Sequence, residues 1–107
     1  MERRIEMIRH IVMFRLKDTD VSAAENAAAA KAKAEALPAV IPQIRAMEVR
    51  LNAPSADQSN YHIALICDFD SQADLDAYQV HPEHKKFGGF IAGIREEGGR
   101  ACIDYEI

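Results

Sequence analysis

The sequence predicts an α+β domain with a ferredoxin-like split β-α-β arrangement, in the element order βαββαβ. Three observations predict it: four apolar segments with strand-like composition, two helical segments after the first and third of these, and no internal repeat. This order predicts a four-stranded antiparallel sheet. Its first and third strands are central, and both helices cover the same face.

Bulk composition narrows the class of protein. The chain has 107 residues, which suits one domain, with 49% apolar residues and a net charge of −4. A mildly acidic chain does not favour nucleic acid as a partner, and no apolar run approaches the roughly 20 residues that span a membrane. We see no secretory signal and expect a cytoplasmic protein. Residues 1–6 are expected to be a disordered lead and 7–107 the domain.

The first half of the chain predicts two strands around one helix. Residues 7–16 form an apolar strand with both faces mostly apolar, which is typical of a central strand. Ser22 and Glu25 form a capping box that begins an alanine-rich helix. Pro38 ends that helix, because the residue before a proline avoids helical geometry. The second strand is expected at 44–51.

The second half predicts strand, helix and strand. Residues 61–69 alternate as a third strand, and Ser71 caps a second helix that runs to about Val80. Pro82 opens a further helical turn. Residues 98–99, Gly-Gly, are expected to form a turn before a last strand at 101–107.

The sheet face that carries no helix is predicted to be an interface. We assign six residues to this open face: His10, Val12, Phe14, His62, Ala64 and Ile66. An exposed apolar patch of this kind usually marks an interaction site, so we expect a two-fold homodimer that closes a barrel. Cys67 and Cys102 are read as small buried residues, kept apart by the first strand and reduced.

Four segments carry a family resemblance. Residues 10–17 (HIVMFRLK), 69–75, 77–84 (AYQVHPEH) and 103–106 (IDYE) resemble the stress-responsive dimeric α/β-barrel (Dabb) family, over nearly the whole chain. The resemblance implies this fold and a dimer. The family is functionally mixed, and some plant members are polyketide cyclases that perform an intramolecular aldol condensation. In those, a Tyr and a His act together in a cavity that two strand histidines also line. The matching residues here are Tyr78, His84, His10 and His62.

Tyr78 and His84 form the candidate acid–base pair. A histidine titrates near neutral pH and is the commonest general base, while a tyrosine hydroxyl can donate to a carbonyl oxygen that gains charge. On one continuous helix the two residues would be poorly aligned, but a break near Pro82 would bring them together. The alternative is that Tyr78 packs on the sheet and His84 braces a loop.

The remaining polar candidates have open roles. His10 and His62 either bind substrate or fix strand and dimer register. Asp104 either orients a histidine, pairs with an arginine or faces water. His81 is expected to end the second helix as an imidazolium. Its i, i+3 spacing to His84 is a weak zinc signal without supporting ligands, so we assign no metal and no cofactor.

The sequence is compatible with three functional hypotheses. The first is a cofactor-independent cyclase, lyase or isomerase that uses Tyr78 and His84 on a small carbonyl compound. The second is a non-catalytic dimer that binds a small molecule in the barrel or protects against stress. The third is a monooxygenase-like activity, as in other dimeric barrels.

Overall fold

The computed structural model describes residues 6–107, so the expected lead at 1–6 lies outside the described residues except for Glu6. The elements are β1 (Ile8–Leu16), α1 (Ala23–Glu35), β2 (Ala46–Leu51), β3 (Ile63–Phe69), α2 (Gln72–Val80), α3 (Pro82–Ile94) and β4 (Arg95–Glu106), with a 3-10 turn at Leu37–Ala39. The strands pair antiparallel in the order β2-β3-β1-β4. This confirms the predicted fold class and the central position of the first and third strands. In the described residues no helix is long and apolar enough to cross a bilayer.

The helix boundaries follow the expected capping chemistry. The Ser22 hydroxyl accepts from the Glu25 amide at 3.1 Å, and the Ser71 hydroxyl accepts from the Asp74 amide at 3.1 Å. Both contacts satisfy N–H groups that the first turn of a helix leaves without a partner. The predicted helix starts are therefore correct.

The core lies between the sheet and the helices. On β1 the even-numbered residues are buried and the odd-numbered ones half-buried. The even-numbered set faces the helices together with Ile63, Leu65, Cys67 and Phe69 of β3. The ring of Tyr78 on α2 packs against Phe69 with 4.9 Å between ring centroids.

The assignment of β1 residues to the open face is wrong. His10 pairs with Cys67 and Val12 with Leu65, so the even-numbered β1 residues share a face with the odd-numbered β3 residues. His10, Val12 and Phe14 therefore face the helices. Ala64 and Ile66 do lie on the open face, as predicted. Both faces of β1 are apolar, so the alternation alone could not show which one the helices cover.

The glycine pair at 98–99 is not a turn between elements. β4 continues through it from Arg95, and the pairing with β1 shifts register between Phe14 and Leu16. Gly98 has φ of 69°, a left-handed conformation that suits glycine. A Cβ on Gly99 would lie 2.7 Å from the Arg15 carbonyl oxygen. The two glycines allow a bulge-like irregularity within β4, and β4 pairs with β1 on both sides of it.

We predict that Gly99→Ala destabilises the protein by about 1–3 kcal/mol, because the new Cβ would collide with backbone. Gly89→Ala is the matched control. It lies inside α3, nothing lies within 4 Å of an added Cβ, and the change should stabilise by up to about 1 kcal/mol. Chemical denaturation of both variants measures the difference. Equal effects would contradict the steric role of this position.

Candidate functional site

A cavity of about 270 Å³ lies between the sheet and the α2–α3 pair. Its walls are mostly apolar with a few polar groups, and its mouth lies at the exposed lining residues, which include Ala92 of α3 and Arg100 of β4. Its lining comprises His10, Val12, Phe14, Leu65, Tyr78, Gln79, His84, Phe87, Gly88, Ile91, Ala92, Arg95 and Arg100. Three of the four candidates from the resemblance therefore meet at one concave site. The residues that line this cavity come from the sheet and the helices of one chain.

The break between α2 and α3 brings Tyr78 and His84 together. His81 is extended, with ψ of 137°, and Pro82 begins α3. This turn redirects the chain, and the Tyr78 and His84 rings lie 4.3 Å apart between centroids, tilted by 54°. A continuous helix would not have aligned them. The break near Pro82 therefore brings the two residues together, as predicted.

One hydrogen bond sets the tautomer of His84. Its Nδ1 lies 3.1 Å from the Gln79 carbonyl oxygen. A carbonyl only accepts, so Nδ1 carries the proton and Nε2 keeps its lone pair. Burial lowers the pKa of His84, the hydrogen bond to the Gln79 carbonyl partly offsets this, and the charge of Arg100 adds to the lowering. The ring is therefore neutral at neutral pH and presents a basic nitrogen.

Tyr78 is held as a protonated hydroxyl. Its side chain is 1% exposed, and burial raises the pKa of Tyr78 far above its usual value, with the Cys67 thiol beside it adding to the shift. The same burial raises the pKa of Cys67 to about 12. Tyr78 can therefore donate a hydrogen bond, but it does not serve as a base.

His10 and Asp104 form a hydrogen-bonded pair at the cavity wall. The two residues are direct partners across β1 and β4, and the His10 Nδ1 lies 2.5 Å from the Asp104 carboxylate. Of the roles left open for Asp104, orienting a histidine is the one that the contact supports. His10 is 3% exposed, and its ring centroid lies 6.2 Å from that of Tyr78.

The thiol of Cys102 completes a small cluster with that pair. Its Sγ lies 3.5 Å from the His10 Nδ1 and 3.8 Å from the Asp104 carboxylate. Ligand atoms of these three residues lie within 4.8 Å of one another, which is a spacing that a metal ion could use. Cys102 is exposed, which corrects its expected burial. Both cysteines are free, and Cys67 lies on the far side of β1 from Cys102, as predicted.

His62 is not part of the cavity, which corrects the prediction that it lies beside His10. It precedes β3, and its amide donates to the Phe14 carbonyl at 3.0 Å. Its Nδ1 accepts from the Leu16 amide at 2.9 Å. Burial lowers the pKa of His62, and the charge of Arg15 contributes. The role that fits these contacts is the alternative stated above, fixing the strand register.

His81 also lies outside the cavity lining. It stands between α2 and α3, and its Nδ1 accepts from the Glu83 amide at 3.1 Å. The side chain therefore caps the start of α3. His81 also ends α2, as predicted.

Two cavity residues were missed from the sequence: Arg95 and Arg100. They are five residues apart on β4, a spacing that places side chains on opposite faces of a regular strand. The register shift changes this outcome, because Arg95 pairs with Leu16 and Arg100 with Phe14, both on the helix-facing side. Only the glycine pair between them hinted at such an irregularity.

The chain matches the stress responsive A/B barrel domain over residues 8–107. It belongs to this family. No curated protein matches the chain. A dimeric ferredoxin-like protein of unknown function from Bacteroides fragilis is 40% identical, with 94% of this chain and 96% of that one covered and a TM-score of 0.76. A Dabb family protein from Mesorhizobium loti is 28% identical, with coverages of 94% and 95% and a TM-score of 0.71.

One similar fold belongs to a named enzyme. The hydroxynitrile lyase of Passiflora edulis is 20% identical, with 97% of this chain and 95% of that one covered and a TM-score of 0.78. At this identity the likeness shows the shared fold alone.

We predict that His62→Ala lowers the free energy of unfolding by about 1–3 kcal/mol at pH 7.5, because the Leu16 amide loses its acceptor. The pKa of His62 is lowered from 6.5 in the folded chain, so the unfolded chain binds the proton more readily. The stabilisation by His62 is therefore fully present above pH 6.5 and is lost as the pH falls through the lowered pKa of the folded chain. Denaturation at pH 7.5 and pH 5 should show the variant's deficit shrinking in acid. A deficit that is constant with pH would contradict this role.

Proposed function

We propose that this protein is a cofactor-independent lyase, cyclase or isomerase that acts on a small carbonyl compound in the cavity. The observation that carries the proposal is the contact of Tyr78 with His84 at the cavity wall, 4.3 Å between ring centroids. One ring offers a basic nitrogen and the other a protonated hydroxyl. A mostly apolar enclosure strengthens both interactions by excluding water. We place the activity in the cytoplasm, where two free cysteines stay reduced.

The proposed step is a proton transfer followed by carbon–carbon chemistry. His84 Nε2 removes a proton from the carbon next to the carbonyl, and the electron pair of that C–H bond moves onto the carbonyl oxygen. The Tyr78 hydroxyl donates to this oxygen as its charge grows. In a cyclase the enolate carbon attacks a second carbonyl carbon, the electron pair of that C=O moves onto its oxygen, and this oxygen takes the proton back from His84. In an isomerase the enolate regains the proton from His84 at another position. In a lyase that acts on a hydroxy compound, His84 takes the hydroxyl proton, the O–H electron pair forms the new carbonyl, and the carbon group that departs with the electrons of the broken bond takes that proton from His84.

The His10–Asp104 pair, on β1 and β4, contributes to this chemistry from the sheet side of the cavity. The Asp104 carboxylate accepts from the His10 Nδ1, so the His10 Nε2 is left to accept from a substrate group. His10 lines the same cavity as His84. We assign His10 to substrate binding and Asp104 to its orientation.

A second candidate is a binding protein without turnover. It is favoured by the near-complete burial of Tyr78, whose hydroxyl neighbours the Cys67 thiol. If the Tyr78 hydroxyl stays bonded to the Cys67 thiol when ligand is bound, Tyr78 only lines the cavity and does not donate a hydrogen bond to the ligand. The monooxygenase-like reading has no comparable support at the cavity. The likeness to a putative antibiotic biosynthesis monooxygenase from Nitrosomonas europaea, at 15% identity, is one of fold.

We further propose that two copies pair through the open sheet face. Ile11, Met13, Ala64, Ile66 and Ile103 form an open apolar patch there, defined by direct pairs across β1, β3 and β4. Ile103 is 60% exposed, and the 40% identical relative from Bacteroides fragilis is dimeric. Such a patch on a small domain favours association with a second copy.

For the chemistry, we predict that Tyr78→Phe and His84→Gln each slow proton exchange at the central carbon of benzoylacetone, in D2O, by about 100-fold or more. Proton NMR follows the exchange. Tyr61→Phe is the control, because it removes a tyrosine hydroxyl from a residue outside the cavity lining and should retain the rate. The wild-type rate should fall in acid below pH 6.5, since the pKa of His84 is lowered from that value. Wild-type exchange no faster than in buffer, with benzoylacetone still bound, would support the binding protein instead.

For the dimer, we predict that Ile103→Glu yields a monomer at micromolar concentration, because a carboxylate would be buried in the apolar interface. Light scattering after size exclusion measures the mass. Val80→Glu is the control, since Val80 is 65% exposed but lies on α2, away from the open face. A dimer that survives Ile103→Glu and dissociates with Val80→Glu would place the interface elsewhere.

A further inference from the structure

The arginines within residues 6–107 divide into two groups. Arg9, Arg15, Arg45 and Arg50 each lie within 4.0 Å of a carboxylate, from Asp68, Glu96, Asp70 and Glu48 respectively. Arg95 and Arg100 have no carboxylate partner among residues 6–107, and both line the cavity. In a chain with 17 acidic and 13 basic residues, two arginines without acidic partners on one cavity are not explained by a shortage of acids.

The fold places Arg95 and Arg100 on the same face of β4 only through an irregular stretch of strand. A regular strand would send Arg95 and Arg100 to opposite faces. The register shift at residues 96–99 brings both to the helix-facing side, and it requires a glycine with positive φ and a second glycine against the Arg15 carbonyl. The irregularity therefore has a specific consequence for the cavity, which is a positive mouth.

The rest of the cavity suits an apolar body. Val12, Phe14, Leu65, Phe87 and Ile91 supply its walls, and its volume of about 270 Å³ is at the small end for a ligand site. Arg100 lies near enough to His84 for its charge to act on that ring. A ligand that reaches from His84 to the mouth would place its far end beside a guanidinium.

We propose that the ligand is a small carbonyl compound that carries a carboxylate, held by Arg95 and Arg100 at the cavity mouth while its apolar body fills the cavity. Guanidinium groups bind carboxylates through paired, charge-assisted hydrogen bonds, which neutral groups cannot match. This assignment of substrate class rests on the proposed function for the carbonyl. The carboxylate site is argued from the arginines alone.

Benzoate and benzamide test the carboxylate site, because they share a shape and differ in charge. In NMR titrations the wild-type protein should bind benzoate at least about 10-fold more tightly than benzamide. The preference should shrink as sodium chloride is raised. Equal affinity for the two probes in the wild-type protein would overturn the proposal without any variant.

A double variant locates the preference. Arg95→Gln with Arg100→Gln should weaken benzoate binding about 10-fold or more and leave benzamide binding unchanged. Arg45→Gln with Arg50→Gln removes the same charge from residues outside the cavity lining and should leave both affinities unchanged. Equal loss in the two double variants would show a general charge effect and would overturn the proposal.

The two proposals fail separately. If benzoate is preferred but benzoylacetone exchange stays at the buffer rate, the carboxylate site stands and the chemistry falls. If exchange is catalysed but benzamide binds as well as benzoate, the chemistry stands and the carboxylate site falls. His84→Gln should keep the preference for benzoate, because it removes the base and leaves both arginines.

Discussion

The register of β1 against β3 is the constraint on which the site depends. A shift of one residue would turn His10 away from the helices and replace it with Arg9 or Ile11. His62 holds this register through two bonds, one to the Phe14 carbonyl and one from the Leu16 amide. A histidine that lies outside the cavity thus determines which residues of β1 line it. The open apolar patch depends on the same register, since it is the other face of the same strands.

Two departures from regular structure shape the cavity. The break at His81 and Pro82 turns the chain between α2 and α3, so that Tyr78 and His84 meet. The irregularity at Gly98 and Gly99 brings two arginines to one face of β4. Each departure costs regular backbone hydrogen bonding or conformational freedom. Both bring together polar groups that unbroken elements would have kept apart.

Burial gives the two ring side chains complementary properties. It lowers the pKa of His84 and raises the pKa of Tyr78, because a low-dielectric site disfavours the charged form of each. The result is a neutral base beside a neutral donor. A pair of this kind can move a proton and donate a hydrogen bond to an oxygen that gains charge, which is the physical basis of the proposed carbonyl chemistry.

The sequence by itself determined the order of the strands, the helix caps, the central strands and a break at Pro82 that would bring Tyr78 and His84 together. It predicted a further helical turn at Pro82, where the structure has the 13-residue helix α3. These follow from local patterns and from connections that have one allowed hand. It did not determine which face of β1 the helices cover, since both faces are apolar, or that His62 lies outside the cavity. The sequence pattern also predicted a turn at residues 98–99. Arg95 and Arg100 were therefore not predicted to line the cavity. Those outcomes depend on pairing between strands distant in sequence, which only the tertiary structure decided.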